Sequence, residues 1–141
     1  MFSHVVVGTN DLERARCFYD EVLGTLGHGK GQRRAKGDYI YLSDGASFIV
    51  TGPINGQPAS HANGGTIGCV CQSSAQVDLW HAAGIANGGQ SVEDPPGVRN
   101  TEAGPLYLAY MRDPDGNKLC ALHRLCGLTR GTPTKATTAP G

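Results

Sequence analysis

Apolar positions along the chain change period in a fixed order, and that order occurs twice. Phe2 to Gly8 is β-branched and apolar, the pattern of a strand. Leu12, Ala15, Tyr19, Val22, Leu23 and Leu26 then recur at helical spacing, with Asn10 and Glu13 as a capping pair and Gly24 and Gly27 closing the pattern. Tyr39 to Leu42 and Ser47 to Val50 flank Ser43-Asp44-Gly45 and predict a hairpin. Downstream, Thr66 to Cys71 reads as a strand and Ser73 with Gln76 as a second capping pair. Val77, Trp80, Ala83 and Ala86 follow, before Gly88-Gly89. The stretch from Tyr110 through Asp113-Pro114-Asp115-Gly116 to Leu119 predicts the last hairpin, because proline sets φ and glycine accepts positive φ.

Aligning Asp44-Gly45 on Asp115-Gly116 gives an offset of 71 (115 − 44), which sets Ile49 against Cys120 and Phe48 against Leu119. Each half thus reads strand, helix and then two or three strands. A period of roughly 60 to 70 residues is too long for short solenoid repeats and suits a tandem of two small modules sharing one core.

The chain of 141 residues has the length of a single domain, and its 12 basic residues balance 12 acidic ones. That balance argues against nucleic acid or an acidic membrane surface as the main partner. The cluster Lys30, Arg33, Arg34 and Lys36 is a local exception, with two readings: the solvated face of a strand or an anion site. No apolar run approaches bilayer length or follows a basic start, so a cytoplasmic protein without a membrane partner is expected. The 5 cysteines are odd in number and mostly sit in apolar segments, which favours reduced packing thiols. Residues 125–141 are rich in Gly, Thr, Pro and Ala and read as a tail beyond the domain, ordered in part by a neighbouring subunit.

Three segments, taken in order, resemble the vicinal oxygen chelate superfamily of glyoxalases, bleomycin-resistance proteins and extradiol dioxygenases. They are His4-Val5-Val6-Val7, then Asp11-Leu12-Glu13-Arg14-Ala15 leading to Phe18-Tyr19, and finally Arg112-Asp113-Pro114-Asp115-Gly116-Asn117-Lys118-Leu119. Val77-Asp78, Gly88-Gly89 and Pro96-Gly97-Val98-Arg99 look like a small bacterial branch of it. The resemblance implies an α+β fold of two tandem βαβββ modules, about 2–52 and 64–124, joined by linker 53–63. Their strands would curl into a cup-shaped, partly open mixed β-barrel flanked by helices. It also implies a homodimer.

In metal-using members the resemblance places ligands on the first and last strands of each module. Here those positions are His4, Ile49, Thr66 and Cys120, of which only His4 is a good ligand, so no metal or other cofactor is expected. Superfamily members without the ion bind small apolar or aromatic molecules in the cup. On the parity of His4, Ile49 and Cys120, the strands would present Val6, Val70, Leu122 and either Tyr107 or Leu108. Arg99, on an expected loop from Asp94 to Pro105, is the candidate polar contact, with Glu102 nearby. Two functions stay open: a metal-free binder of a small organic molecule, and a lyase or dioxygenase-type enzyme acting on a small carbonyl or aromatic substrate. In the second, His4 or Cys120 would be the working group.

Overall fold

A computed structural model describes residues 1–125, so the expected ordering of the tail, and Cys126, lie outside the described residues. The first module comprises β1 (His4–Gly8), α1 (Leu12–Gly24), β2 (Gln32–Arg33), β3 (Tyr39–Ser43) and β4 (Ala46–Thr51). The second comprises β5 (Ile67–Val70), α2 (Ser74–Ala86), β6 (Gln90–Thr101), β7 (Gly104–Arg112) and β8 (Lys118–Arg124). Each forms a four-stranded sheet, in the orders β1-β4-β3-β2 and β5-β8-β7-β6. The outer pairs β1–β4 and β5–β8 are parallel and the hairpins antiparallel, so the fold is the α+β pair of βαβββ modules that the resemblance implied.

The duplication holds at the level of register. Ile49 lies opposite Val6, and Cys120 opposite Gly68. Counting back two residues reaches His4 in one module and Thr66 in the other, which makes these two positions equivalent. Both hairpin turns use the glycine predicted for them, Gly45 at φ 77° and Gly116 at φ 93°, where a side chain would be strained.

Local signals placed the helices correctly and one cap wrongly. Asp11, not Asn10, caps α1 by accepting from Arg14 N at 3.0 Å. Asn10 instead bonds the linker, accepting from Ala59 N at 2.6 Å and donating to Ala59 O at 3.2 Å. At α2 the expected pair is present: Ser73 accepts from Gln76 N, and the Gln76 carboxamide accepts from Gln72 N at 2.7 Å. The expected loop from Asp94 is also corrected, because β6 runs on to Thr101 with a register shift between Val92 and Gly97. Glu93 occupies positive φ in this shift, and the Arg99 guanidinium braces it by donating to the carbonyls of Asp94 and Pro95 at 2.9 and 3.0 Å. Composition rich in Pro and Gly reads as a loop, yet it also serves a bulged edge strand.

One buried cluster draws on both modules: Phe18, Tyr19 and Val22 from α1, Val77 and Trp80 from α2, and the facing strand residues Val50, Tyr41, Met111 and Leu119. Polar contacts from the last turn reinforce it. Asp115 accepts from Thr9 Oγ1 at 2.6 Å, Asn10 N at 3.0 Å and Arg14 Nη2 at 2.9 Å, tying the second module to the start of α1. No helix among the described residues is long and apolar enough to cross a membrane.

The basic cluster ahead of β3 divides in two. Arg34 and Lys36 contact the buried carboxylate of Asp38, while Lys30 and Arg33 face solvent. Hydrogen bonding from Arg34, then from Lys36 and Thr51, outweighs burial and lowers the Asp38 pKa to about 2. A carboxylate depressed in the folded state stabilises above its unfolded pKa near 3.8 and loses that contribution as pH falls toward 2. The stability advantage of the parent over Asp38→Asn should therefore shrink across that window; urea unfolding at several pH values checks it, and a pH-independent difference would refute the assignment.

Candidate functional site

Alternation along the strands sorts every side chain to one of two faces. Tyr39, Tyr41, Val50, Cys71, Ala109, Met111, Leu119 and Ala121 join the helix-side core. The registers then set His4, Val6, Ile40, Leu42 and Ile49 on the opposite face of the first sheet. They set Gly68, Val70, Cys120, Leu122, Leu108, Tyr110 and Arg99 on the opposite face of the second. This is the face the cup reading requires. Ile49, Leu108 and Cys120 are buried yet lie outside the helix-side cluster.

The positions singled out from the sequence separate as follows. Ile49, Cys120 and Leu122 lie on the helix-free face, and so does Arg99, from strand β6 rather than from a loop. His4 is there too, exposed, with Nδ1 2.7 Å from Ser3 Oγ. Thr66 is exposed and sits just ahead of β5, not within it. Tyr107 turns the other way: it lies opposite His123 and donates its hydroxyl to Asp78 Oδ1 on α2 at 2.8 Å. Leu108 takes the place expected of either residue. His123 also points to the helix side, with Nδ1 3.1 Å from Cys71 O, and Glu102 is exposed in the β6–β7 turn.

Tyr110, Glu93 and Lys118, none of them a candidate site residue in the sequence, gather around Cys120. Lys118 Nζ sits 2.5 Å from Glu93 Oε2 and 5.0 Å from the centre of the Tyr110 ring. Strand parity carried from Cys120 across β7 would have found Tyr110; the bulge that brings Glu93 in has no such signal. Burial pushes the Cys120 thiol pKa up, only partly offset by the Tyr110 hydroxyl, so the sulfur is held protonated and is a poor nucleophile. Cys69 and Cys71, on the helix side, are likewise pushed up by burial, to about 12 and about 11.

A metal at the four family positions can be tested on donor chemistry. His4 offers an imidazole, Thr66 a hydroxyl, Cys120 a thiol whose proton burial retains, and Ile49 only hydrocarbon. A divalent ion requires three or four deprotonated or hard donors, and this set does not fit one. No group of three or more His, Cys, Asp or Glu side chains suited to an ion forms elsewhere among the described residues.

Comparison with known proteins agrees with the architecture. The family model described as Glyoxalase/Bleomycin resistance protein/Dioxygenase superfamily matches residues 1–121. A crystal structure of a glyoxalase/bleomycin resistance protein from Albidiferax ferrireducens T118 is 60% identical, covering 88% of this chain and 99% of its own with a TM-score of 0.85. A glyoxalase/bleomycin resistance protein/dioxygenase family enzyme from Burkholderia phytofirmans PsJN shares the fold at 17% identity and a TM-score of 0.66, with 87% and 98% covered. So does a lactoylglutathione lyase from Agrobacterium tumefaciens, at 21% identity and a TM-score of 0.58, with 85% and 90% covered. No curated protein matches the chain. With its family model spanning both modules and a relative at this identity along nearly its whole length, the chain belongs to the glyoxalase/bleomycin resistance protein/dioxygenase superfamily.

Proposed function

We propose that the protein binds a small apolar or aromatic molecule against the helix-free faces of its sheets, without a catalytic metal, and that a second copy of the chain closes the cup. The observation that carries this reading is the exposure of Val6, Leu42 and Val70 on those faces, at 49%, 55% and 73%. Exposed apolar side chains on a concave sheet face favour a covering partner or ligand. Ile49, Leu108, Leu122 and Cys120 supply the floor, and His4, Thr66, Tyr110 and Arg99 supply polar points for orientation. A lyase or dioxygenase reaction needs an ion or a donor cluster to take up charge at the substrate oxygen, and the four family positions do not furnish one.

The test is metal content and stability together. Protein purified without a tag should keep its melting temperature in a chelator, and added zinc, nickel or manganese should not raise it, because an ion that binds only the folded state stabilises by mass action. Sedimentation at tens of micromolar should show a dimer. Near-stoichiometric metal with a chelator-sensitive melting temperature would overturn the metal-free reading; a monomer would overturn the closed cup.

A further inference from the structure

Charge is divided unevenly between the two faces of the sheets. The chain as a whole is neutral, with 12 basic and 12 acidic residues. Yet the registers set Arg99, Arg112, Lys118 and Arg124 on the helix-free face of the second sheet, and no Asp or Glu takes a helix-free position on the paired strands of either sheet. A carboxylate enters only from the β6 bulge. Glu93, at φ 59°, is the one non-glycine residue at positive φ among the described residues, and residues held in that region cluster at ligand sites. Its Oε2 pairs with Lys118 Nζ at 2.5 Å.

Glu93 offsets Lys118 and leaves Arg99 uncompensated. Arg99 makes no ion pair among the described residues. Its Nη2 is held by the carbonyls of Asp94 and Pro95, which anchors the guanidinium while Nε and Nη1 remain free to donate. Behind the larger effects of burial and the Tyr110 hydroxyl, the charges of Glu93, Lys118 and Arg99 all act on the Cys120 thiol, and that of Arg99 acts on Tyr110 too. These groups therefore share one corner of the cup. Two residues along the same strands, Leu108 faces Leu122. That spacing, roughly 7 Å, is about the reach of a benzene ring with its carboxylate.

We infer that the ligand of the cup is an aromatic or apolar carboxylate: Arg99 takes the carboxylate, Lys118 adds its charge, and Leu108 and Leu122 cover the apolar body. The inference rests on the cup reading above and adds to it the charge of the occupant. A guanidinium fixed in a half-buried wall and lacking a carboxylate of its own is suited to supply a charge-assisted hydrogen bond.

Benzoate, benzamide and benzamidine share a shape and are negative, neutral and positive. Titrated at low salt into ¹⁵N-labelled protein, benzoate should shift the Tyr110 and Cys120 amide peaks saturably. It should bind roughly 5- to 10-fold tighter than benzamide, the gain of a charge-assisted over a neutral hydrogen bond, and benzamidine should bind most weakly. Raising ionic strength from about 0.02 M to about 0.3 M should shrink the advantage of benzoate and leave benzamide unchanged. Arg99→Gln should bring benzoate down to the affinity of benzamide, and Glu93→Gln, which removes the opposing charge, should tighten it. Should Arg99→Gln fail to fold, Lys118→Gln, outside the bulge, should weaken benzoate alone. Equal binding of benzoate and benzamide at these peaks, a benzoate advantage that survives Arg99→Gln, or weaker benzoate binding in Glu93→Gln overturns the assignment while the cup reading stands. No saturable shift from any of the three compounds overturns both.

Discussion

Asp113→Ala is expected to lower the free energy of unfolding by roughly 3–5 kcal/mol, although the residue belongs to a turn and carries no proposed binding role. Its carboxylate is only 4% exposed and accepts four hydrogen bonds: from the Tyr19 hydroxyl at 2.5 Å, from Asp115 N at 3.0 Å, and from Asn117 N and Nδ2 at 2.8 Å each. Truncation strands the Tyr19 hydroxyl inside the core, and burial already holds that phenol well above its ordinary pKa, so it stays a donor in need of an acceptor. The loss also loosens Asp115, which grips Thr9, Asn10 and Arg14 in the other module. Asp113→Asn keeps an acceptor and should cost less. Urea unfolding with an unchanged m-value measures both; a loss below about 1 kcal/mol for the alanine variant would show the clasp to be dispensable.

Phe18→Ala should cost a comparable amount, about 3–5 kcal/mol, through a cavity where the two helices meet. Phe18 is fully buried and stacks edge-on against Tyr19, with ring centroids 4.9 Å apart and planes at 87°. Its far edge is seated against two glycines, since a Cβ built at Gly89 would come within 2.9 Å of Phe18 Cε2 and one at Gly84 within 3.5 Å. At Gly89 the clash extends to the Gly84 carbonyl at 2.8 Å, which is backbone and has little freedom to move aside. The surroundings are thus shaped to this ring, and its removal leaves a cavity. The neighbouring exposed Cys17 provides the control: Cys17→Ala should change stability by no more than about 0.5 kcal/mol. Equal losses at the two positions would contradict this account of the core.

What the sequence by itself determined was everything carried by near neighbours along the chain. Period 3.6 and period 2 marked two helices and their strands apart from β2 and β6, Gly45 and Gly116 marked the turns, and the offset between them made Ile49 and Cys120 equivalent before any pairing was known. These signals are local because propensity, capping and turn geometry act over a few residues. Only the tertiary structure decided the rest. Asp115 reads as a turn residue until Thr9, 106 positions away, donates to it. Asn10 loses the cap to Asp11 because the linker at Ala59 claims its carboxamide. The choice between Tyr107 and Leu108 depended on which face of β7 the helix covers, and the Asp78 carboxylate on that helix drew Tyr107 to it. The burial of Trp80 in a cluster drawn from both modules was decided there too, because a side chain's destination is set by what packs against it and not by its neighbours in the chain.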